Sequence, residues 1–231
     1  AGLRAMARLA EARDPMAGDH LERTQAVVAV LARQLHHKGL MPPGLDTAAL
    51  ARLIESVSLH DIGMAVVPDR VLQKPGPLDA DEWAVLKTHA VAGADALGWA
   101  ERGQGQPAGV LDFARQVARH HHERWDGHGY PDGLAGEAIP LAARLVAVAD
   151  AFVALVSPRA YRPAGSIERA FRAVVQESGG QFDPQVVDAF IECFDELRVI
   201  GGAAASPAMP AAATLPAGGA VAGAGLGDGT A

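Results

Sequence analysis

The sequence predicts an all-α protein. Apolar residues recur every three or four positions along successive stretches, and side chains suited to helix caps stand at the head of several of them. No stretch alternates apolar and polar residues with the period of a half-buried strand. Residues 19–35 carry Val27, Val28, Leu31 and Leu35 on one stripe, with His20 on the same inward face. A Pro-Gly loop at 42–44 separates this helix from the next. Asp46 or Thr47 caps that second helix, whose inner face reads Leu50, Leu53, Ile54 and Val57 before continuing into His60 and Asp61. Asp79 and Glu82 form a capping-box start for a helix striped Val85, Leu86, His89, Gly93 and Leu97, which the glycine-rich segment 98–109 ends.

Val110, Phe113, Val117 and His121 mark the following helix, which delivers His120, His121 and His122 at its C-terminal end and stops in a loop dense in turn formers. Pro140 opens a helix over 141–156 that is apolar nearly all round, so the chain must bury it, yet Asp150 sits at its middle. An unpaired buried carboxylate is costly, so positive charge should face Asp150. Ser166 caps a helix with Ile167, Phe171 and Val174, and Asp183-Pro184 opens the last one, with Val187, Phe190 and Phe194. Residues 1–200 read as one domain. Residues 201–231, almost wholly Ala, Gly and Pro without a periodic stripe, read as a disordered low-complexity tail.

Composition narrows the function. Cys193 is the single cysteine, so disulfide frameworks and cysteine-rich zinc sites are excluded, and the chain suits a reducing, cytoplasmic compartment. Neither a membrane-spanning run nor a signal peptide is legible. The net charge of −7 argues against a surface for duplex nucleic acid, and an anionic substrate would have to be drawn by local arginines and metals.

His20, His60, Asp61, His89, His121, His122 and Asp150 all lie on or beside inward helix faces. One inward histidine is usually an ordinary hydrogen-bonded core residue, but five imidazoles and two carboxylates cannot all be satisfied that way without large desolvation costs. Divalent metal ions satisfy them together. The ligand number suits two ions bridged by Asp61, and iron, manganese, zinc and cobalt all fit nitrogen-rich ligation with two carboxylates. Two ions imply hydrolysis at phosphorus by a hydroxide held between them, with His60 and Asp61 as the catalytic pair. His36 and His37, beside Lys38 at a helix end, read as solvated. Arg159 and Arg162 read either as a charged surface turn or, following Asp150 closely, as phosphate contacts.

SLHDIG at 58–63, HHERWDGHGYPDGL at 121–134 and IPLAARLVAVAD at 139–150 together resemble the HD-GYP family of metal-dependent cyclic dinucleotide phosphodiesterases, over about residues 10–196. The resemblance implies an HD-superfamily helical bundle and places the family's metal ligands on the same seven residues. It implies substrate contacts from Arg159, Arg162 and the loop residues Gly129, Tyr130 and Pro131. It further implies cyclic di-GMP as substrate, with the linear dinucleotide or GMP as product, an upstream sensory or receiver domain, and a protein partner at the GYP loop. The sequence departs from the family at Met64, where lysine is usual, at Val153, where aspartate is usual, and at Met16, where some members carry a glutamate. The competing expectation that these departures motivate is a metal-loaded but catalytically impaired domain that regulates by binding the dinucleotide or a protein partner.

Overall fold

A computed structural model of the chain describes residues 5, 7, 8, 19–102, 109–158 and 165–202. In chain order its α-helices are α1 (His20–His37), α2 (Thr47–Ser56), α3 (Asp69–Leu72), α4 (Ala80–Arg102), α5 (Val110–His120), α6 (Leu141–Val156), α7 (Ile167–Gln176), α8 (Pro184–Glu192) and α9 (Phe194–Gly202). Short 3₁₀ turns occupy Val57–Leu59, Ile62–Val66 and Gly136–Ala138. Among the described residues no strand forms, and the one isolated bridge joins Ser178 to Phe182. The all-α expectation holds.

Helix starts follow the cap chemistry of the sequence. The Asp46 carboxylate accepts the Ala49 N–H at 2.7 Å, Ser166 accepts from Arg169, and Asp183 accepts from Gln185 with Pro184 in the first turn. At the head of α4, Asp79 and Glu82 each accept the other's backbone N–H at 2.9 Å, the reciprocal pair of a capping box. Helix α6 is central. Leu145, Val146, Val148, Ala149, Phe152 and Val153 are fully buried against Leu31 and Leu35 of α1, Val174 of α7, Phe190 of α8 and Leu197 of α9. A smaller cluster of Leu21, Leu59, Leu97, Ala114 and Ala118 packs α4 and α5 beside the start of α1.

Three sequence expectations change. Helix α2 ends at Ser56 instead of running into His60 and Asp61, which occupy the break between two 3₁₀ turns. The Ser56 and Ser58 hydroxyls donate back to the Leu53 and Glu55 carbonyls, competing with the regular helical ladder. Helix α4 continues to Arg102 through the start of the glycine-rich segment; residues 103–108 lie outside the described residues. The final helix divides at Cys193, and α9 runs two residues past the expected boundary because Gly201 is buried against the Phe152 ring, where a Cβ would stand 2.9 Å from Cζ. Of the tail read from sequence as 201–231, residues 203–231 lie outside the described residues, as do Met16, Arg159 and Arg162. Among the described residues no helix is long and apolar enough to cross a membrane.

Candidate metal centre

The structure brings all seven predicted ligands together in two adjoining groups. His20, His60 and Asp150 form one; Asp61, His89, His121 and His122 form the other, with ligand atoms in each group within 4.8 Å of one another. Five segments contribute: α1 supplies His20, the 3₁₀ break His60 and Asp61, α4 His89, the residues just beyond α5 His121 and His122, and α6 Asp150. Asp61 joins the groups. Its Oδ2 lies 3.4 Å from His60 Nε2, while its Oδ1 lies 3.4 Å from both His89 Nε2 and His121 Nε2. Asp150 Oδ1 is 2.8 Å from His20 Nε2 and 3.8 Å from His60 Nε2, so the carboxylate of the buried helix faces two imidazoles, and a cation held by the same group would supply the positive partner it requires.

The orientation of three rings is set by their own chain. His60 Nδ1–H donates to Val57 O at 3.0 Å, His89 Nδ1–H to Leu86 O at 2.7 Å and His121 Nδ1–H to Val117 O at 2.9 Å. A carbonyl can only accept, so in the neutral rings the proton sits on Nδ1 and the Nε2 lone pair faces the cluster. Those three Nε2 atoms and Asp61 Oδ1 are buried without a hydrogen-bond partner. Four such atoms converging on one volume would be severely destabilising as an ordinary core, whereas divalent cations satisfy them all. The donor set therefore fits metal ions.

Electrostatics agree with ligand duty at His60, His89, His122, Asp61 and Asp150. Burial lowers the His60 and His89 pKa values, and burial with the neighbouring His121 charge lowers that of His122 further, favouring neutral rings. Burial opposes ionisation of Asp61 and Asp150, but the surrounding imidazoles outweigh it and hold both carboxylates well below their usual range. His121 moves upward, because the adjacent Asp61 carboxylate and the more distant Asp150 overcome burial.

The backbone after His122 folds back over the cluster. Tyr130 N–H donates to His122 O at 3.2 Å, and the Tyr130 ring stacks on the His122 ring with centroids 4.8 Å apart. The chain passes so close to its own earlier turn that a Cβ at Gly129 would sit 2.3 Å from Arg124 N and 2.5 Å from Glu123 Cα, so only glycine fits. Pro131 follows across a cis peptide. Thus Gly129, Tyr130 and Pro131 adjoin the histidines, with Tyr130 the residue in ring contact.

Sequence reasoning missed Glu123. Its side chain is buried, and its two oxygens accept the N–H groups of Asp132 at 2.7 Å and Leu134 at 3.1 Å, tying down the far limb of the loop. Arg119 closes the same limb with a two-pronged bond to Asp132, at 2.7 and 2.8 Å. His120, Glu123 and Asp132 also lie close enough to hold a cation. Here, however, all four carboxylate oxygens already accept N–H donors and Arg119 brings the positive charge, so we read the group as a loop clamp. The only advance signal was a carboxylate directly between metal-ligand candidates and a glycine-rich loop. His128 is exposed, as are His36 and His37.

Glu123→Gln tests the clamp. An amide can accept one of the two loop N–H groups but turns its own donor toward the other, at a cost of about 1–3 kcal/mol. The expected result is a lower thermal midpoint and faster amide exchange at Asp132 and Leu134. Melting and exchange like those of the parent protein would remove Glu123 from any role in loop placement.

Fold and cluster together define a class: an all-α bundle that gathers imidazoles and carboxylates in an arrangement suited to divalent metal ions. A family model described as HD domain matches residues 4–186, and the chain belongs to that family. It is 43% identical over 187 residues to a probable cyclic di-GMP phosphodiesterase of Vibrio cholerae serotype O1, covering 81% of this chain and 42% of that protein. It is 35% identical over 196 residues to 3'3'-cGAMP-specific phosphodiesterase 2 of the same bacterium, covering 84% and 35%. A solved cyclic GMP-AMP specific phosphodiesterase from V. cholerae shares the fold, with a TM-score of 0.57 at 22% identity over 86% of this chain and 50% of that one. The chain spans about four-tenths of the length of the curated cyclic di-GMP phosphodiesterases of V. cholerae that it matches. These relatives bear out the HD-GYP resemblance.

Proposed function

We propose that this chain is a metal-dependent phosphodiesterase that opens cyclic di-GMP to the linear dinucleotide. One observation carries the reading: buried Nε2 atoms of His60, His89 and His121 and Oδ1 of Asp61 converge without hydrogen-bond partners, next to a second group of His20, His60 and Asp150. The names of the relatives support a cyclic dinucleotide as substrate.

His20, His60 and Asp150 would hold one ion and His89, His121 and His122 the other, with Asp61 turned toward both. Bound there, divalent ions supply Lewis acidity toward a phosphodiester and an activated water at neutral pH. The protein's own task is orientation. The Val57, Leu86 and Val117 carbonyls fix three imidazoles, so no ring has to turn when substrate arrives. Asp61 and Asp150 are about a third and a quarter exposed at the side chain, 31% and 26%, which marks the side from which a phosphate approaches. Tyr130 stands beside that opening as an aromatic wall for a base, clamped through Glu123 and Arg119. Arg159 and Arg162, outside the described residues, are proposed as further phosphate contacts.

Incubating the metal-loaded protein with cyclic di-GMP, with 3'3'-cGAMP and with linear dinucleotides, and separating the products by chromatography, tests this directly. Linear diguanylate as the main product from cyclic di-GMP is expected. Faster cleavage of 3'3'-cGAMP would move the substrate assignment to the mixed dinucleotide, which 35% identity to an enzyme of that specificity makes a specific second reading. No cleavage of any of them would overturn the enzymatic reading in favour of the regulatory one.

A further inference from the structure

We propose that Lys87 is the substrate-facing cation at the mouth of the metal centre, binding a phosphate of the dinucleotide. The inference rests on the phosphodiester reading above and adds to it a residue that neither the sequence motifs nor the ligand cluster singles out.

A doubly anionic substrate approaching a chain of net charge −7 needs local positive charge once the ligand carboxylates are occupied. Most of the described cations near the loop are engaged. Arg119 is bound to Asp132, Arg124 to Asp126 and Arg144 to Asp183. Of the three lysines in the sequence, Lys38 is bound to Glu192 and Lys74 to Glu82. Lys87 is exposed and has no carboxylate partner among the described residues; its Nζ lies 5.1 Å from the centroid of the Tyr130 ring. Tyr130 in turn stacks on the ligand candidate His122. Lys87 therefore stands two residues before His89 on α4, with its ammonium carried back to the aromatic wall of the cleft by a flexible four-carbon stem. Contact with an aromatic face holds an ammonium weakly at an exposed site, leaving its donors available to an incoming phosphoryl oxygen.

A purely structural role, in which Lys87 only covers Tyr130, makes a different prediction. In the phosphate role, charge matters and its precise point of attachment matters less. Met64 offers a second place to attach it: it follows Asp61 by three residues across a 3₁₀ turn, where side chains three apart share a face. Lysine there would bring an ammonium to the Asp61 side of the site.

The test uses the full metal-loaded chain with cyclic di-GMP, comparing Lys87→Met, Lys87→Arg and the double variant Lys87→Met with Met64→Lys. Lys87→Met is expected to raise KM about tenfold, with kcat within twofold, unchanged metal content and a weaker dependence of binding on salt. Lys87→Arg should stay near the parent protein, and Met64→Lys in the Lys87→Met background should recover most of the lost KM. Unchanged KM in Lys87→Met overturns the proposal, and so does a loss that Met64→Lys fails to repair. Equilibrium binding of cyclic di-GMP to the same variants separates the two readings: a parent protein that binds without cleaving sinks the phosphodiesterase reading while Lys87 is still judged by its Kd. A parent protein that neither binds nor cleaves sinks both.

Discussion

Asp61→Ala is expected to leave a folded protein that no longer retains metal ions and hydrolyses cyclic di-GMP, the proposed substrate, on the order of a thousandfold more slowly, equivalent to about 4 kcal/mol of barrier. Asp61 alone presents one oxygen to His60 and the other to His89 and His121, so no neighbour can take over both directions. Its side chain accepts no hydrogen bond from the backbone among the described residues, and its main-chain carbonyl, which receives the Met64 N–H at 2.9 Å, survives the substitution. Fold and metal retention are thereby separable. Elemental analysis with circular dichroism reads both, and two ions per chain together with near-normal turnover would show that Asp61 does not join the groups.

Gly63→Ala should reduce metal affinity by about ten- to a hundredfold, the range seen when support behind a ligand is disturbed. A Cβ at Gly63 would stand 2.0 Å from His89 O and 2.6 Å from Gly93 N. Both are backbone atoms of α4, so the 3₁₀ turn itself has to back away, at about 1–3 kcal/mol for overpacking. That turn follows Asp61 directly, and the obstructing carbonyl belongs to His89, so the 3.4 Å between the two side chains opens. Gly93→Ala is the internal control: its Cβ meets Gly63 N at 3.0 Å and the Ile62 side chain at 3.3 Å, a milder conflict. Titration calorimetry with Mn(II) or Zn(II) should rank the two variants in that order. Equal affinities for both would detach the glycine contact from the metal centre and leave it a packing feature.

How much of this was legible depended on whether a residue sat on a periodic helix. His20, His89 and His121 lie on apolar stripes, and Asp150 interrupts a helix buried all round, so period and burial together pointed each of them inward. His60 and Asp61 were read inward by extending the α2 stripe too far. They arrive in the cluster by another route, through 3₁₀ turns that Ser56 and Ser58 introduce and that Gly63 allows to dock on α4. Glu123 and Lys87 escaped for opposite reasons. Glu123 follows the last helical turn of α5, where periodicity no longer assigns a direction. Lys87 is exposed on a helix, where a charged residue ordinarily means solvent, and only the returning loop gives it a neighbour. The contact between α4 and the Gly63 turn is a tertiary event, and a sequence motif does not print it.

The supports of His60, His89 and His121 have an evolutionary consequence. Each ring is steered by a main-chain carbonyl three or four residues earlier in its own segment, not by a side chain from elsewhere. Substituting Val57, Leu86 or Val117 by another residue leaves that acceptor in place, so mutational drift at these positions can repack the core without turning a ligand. The aim of each imidazole is inherited with the local backbone shape. A lineage can therefore vary the walls of the cleft while the cluster of imidazoles and carboxylates stays fixed.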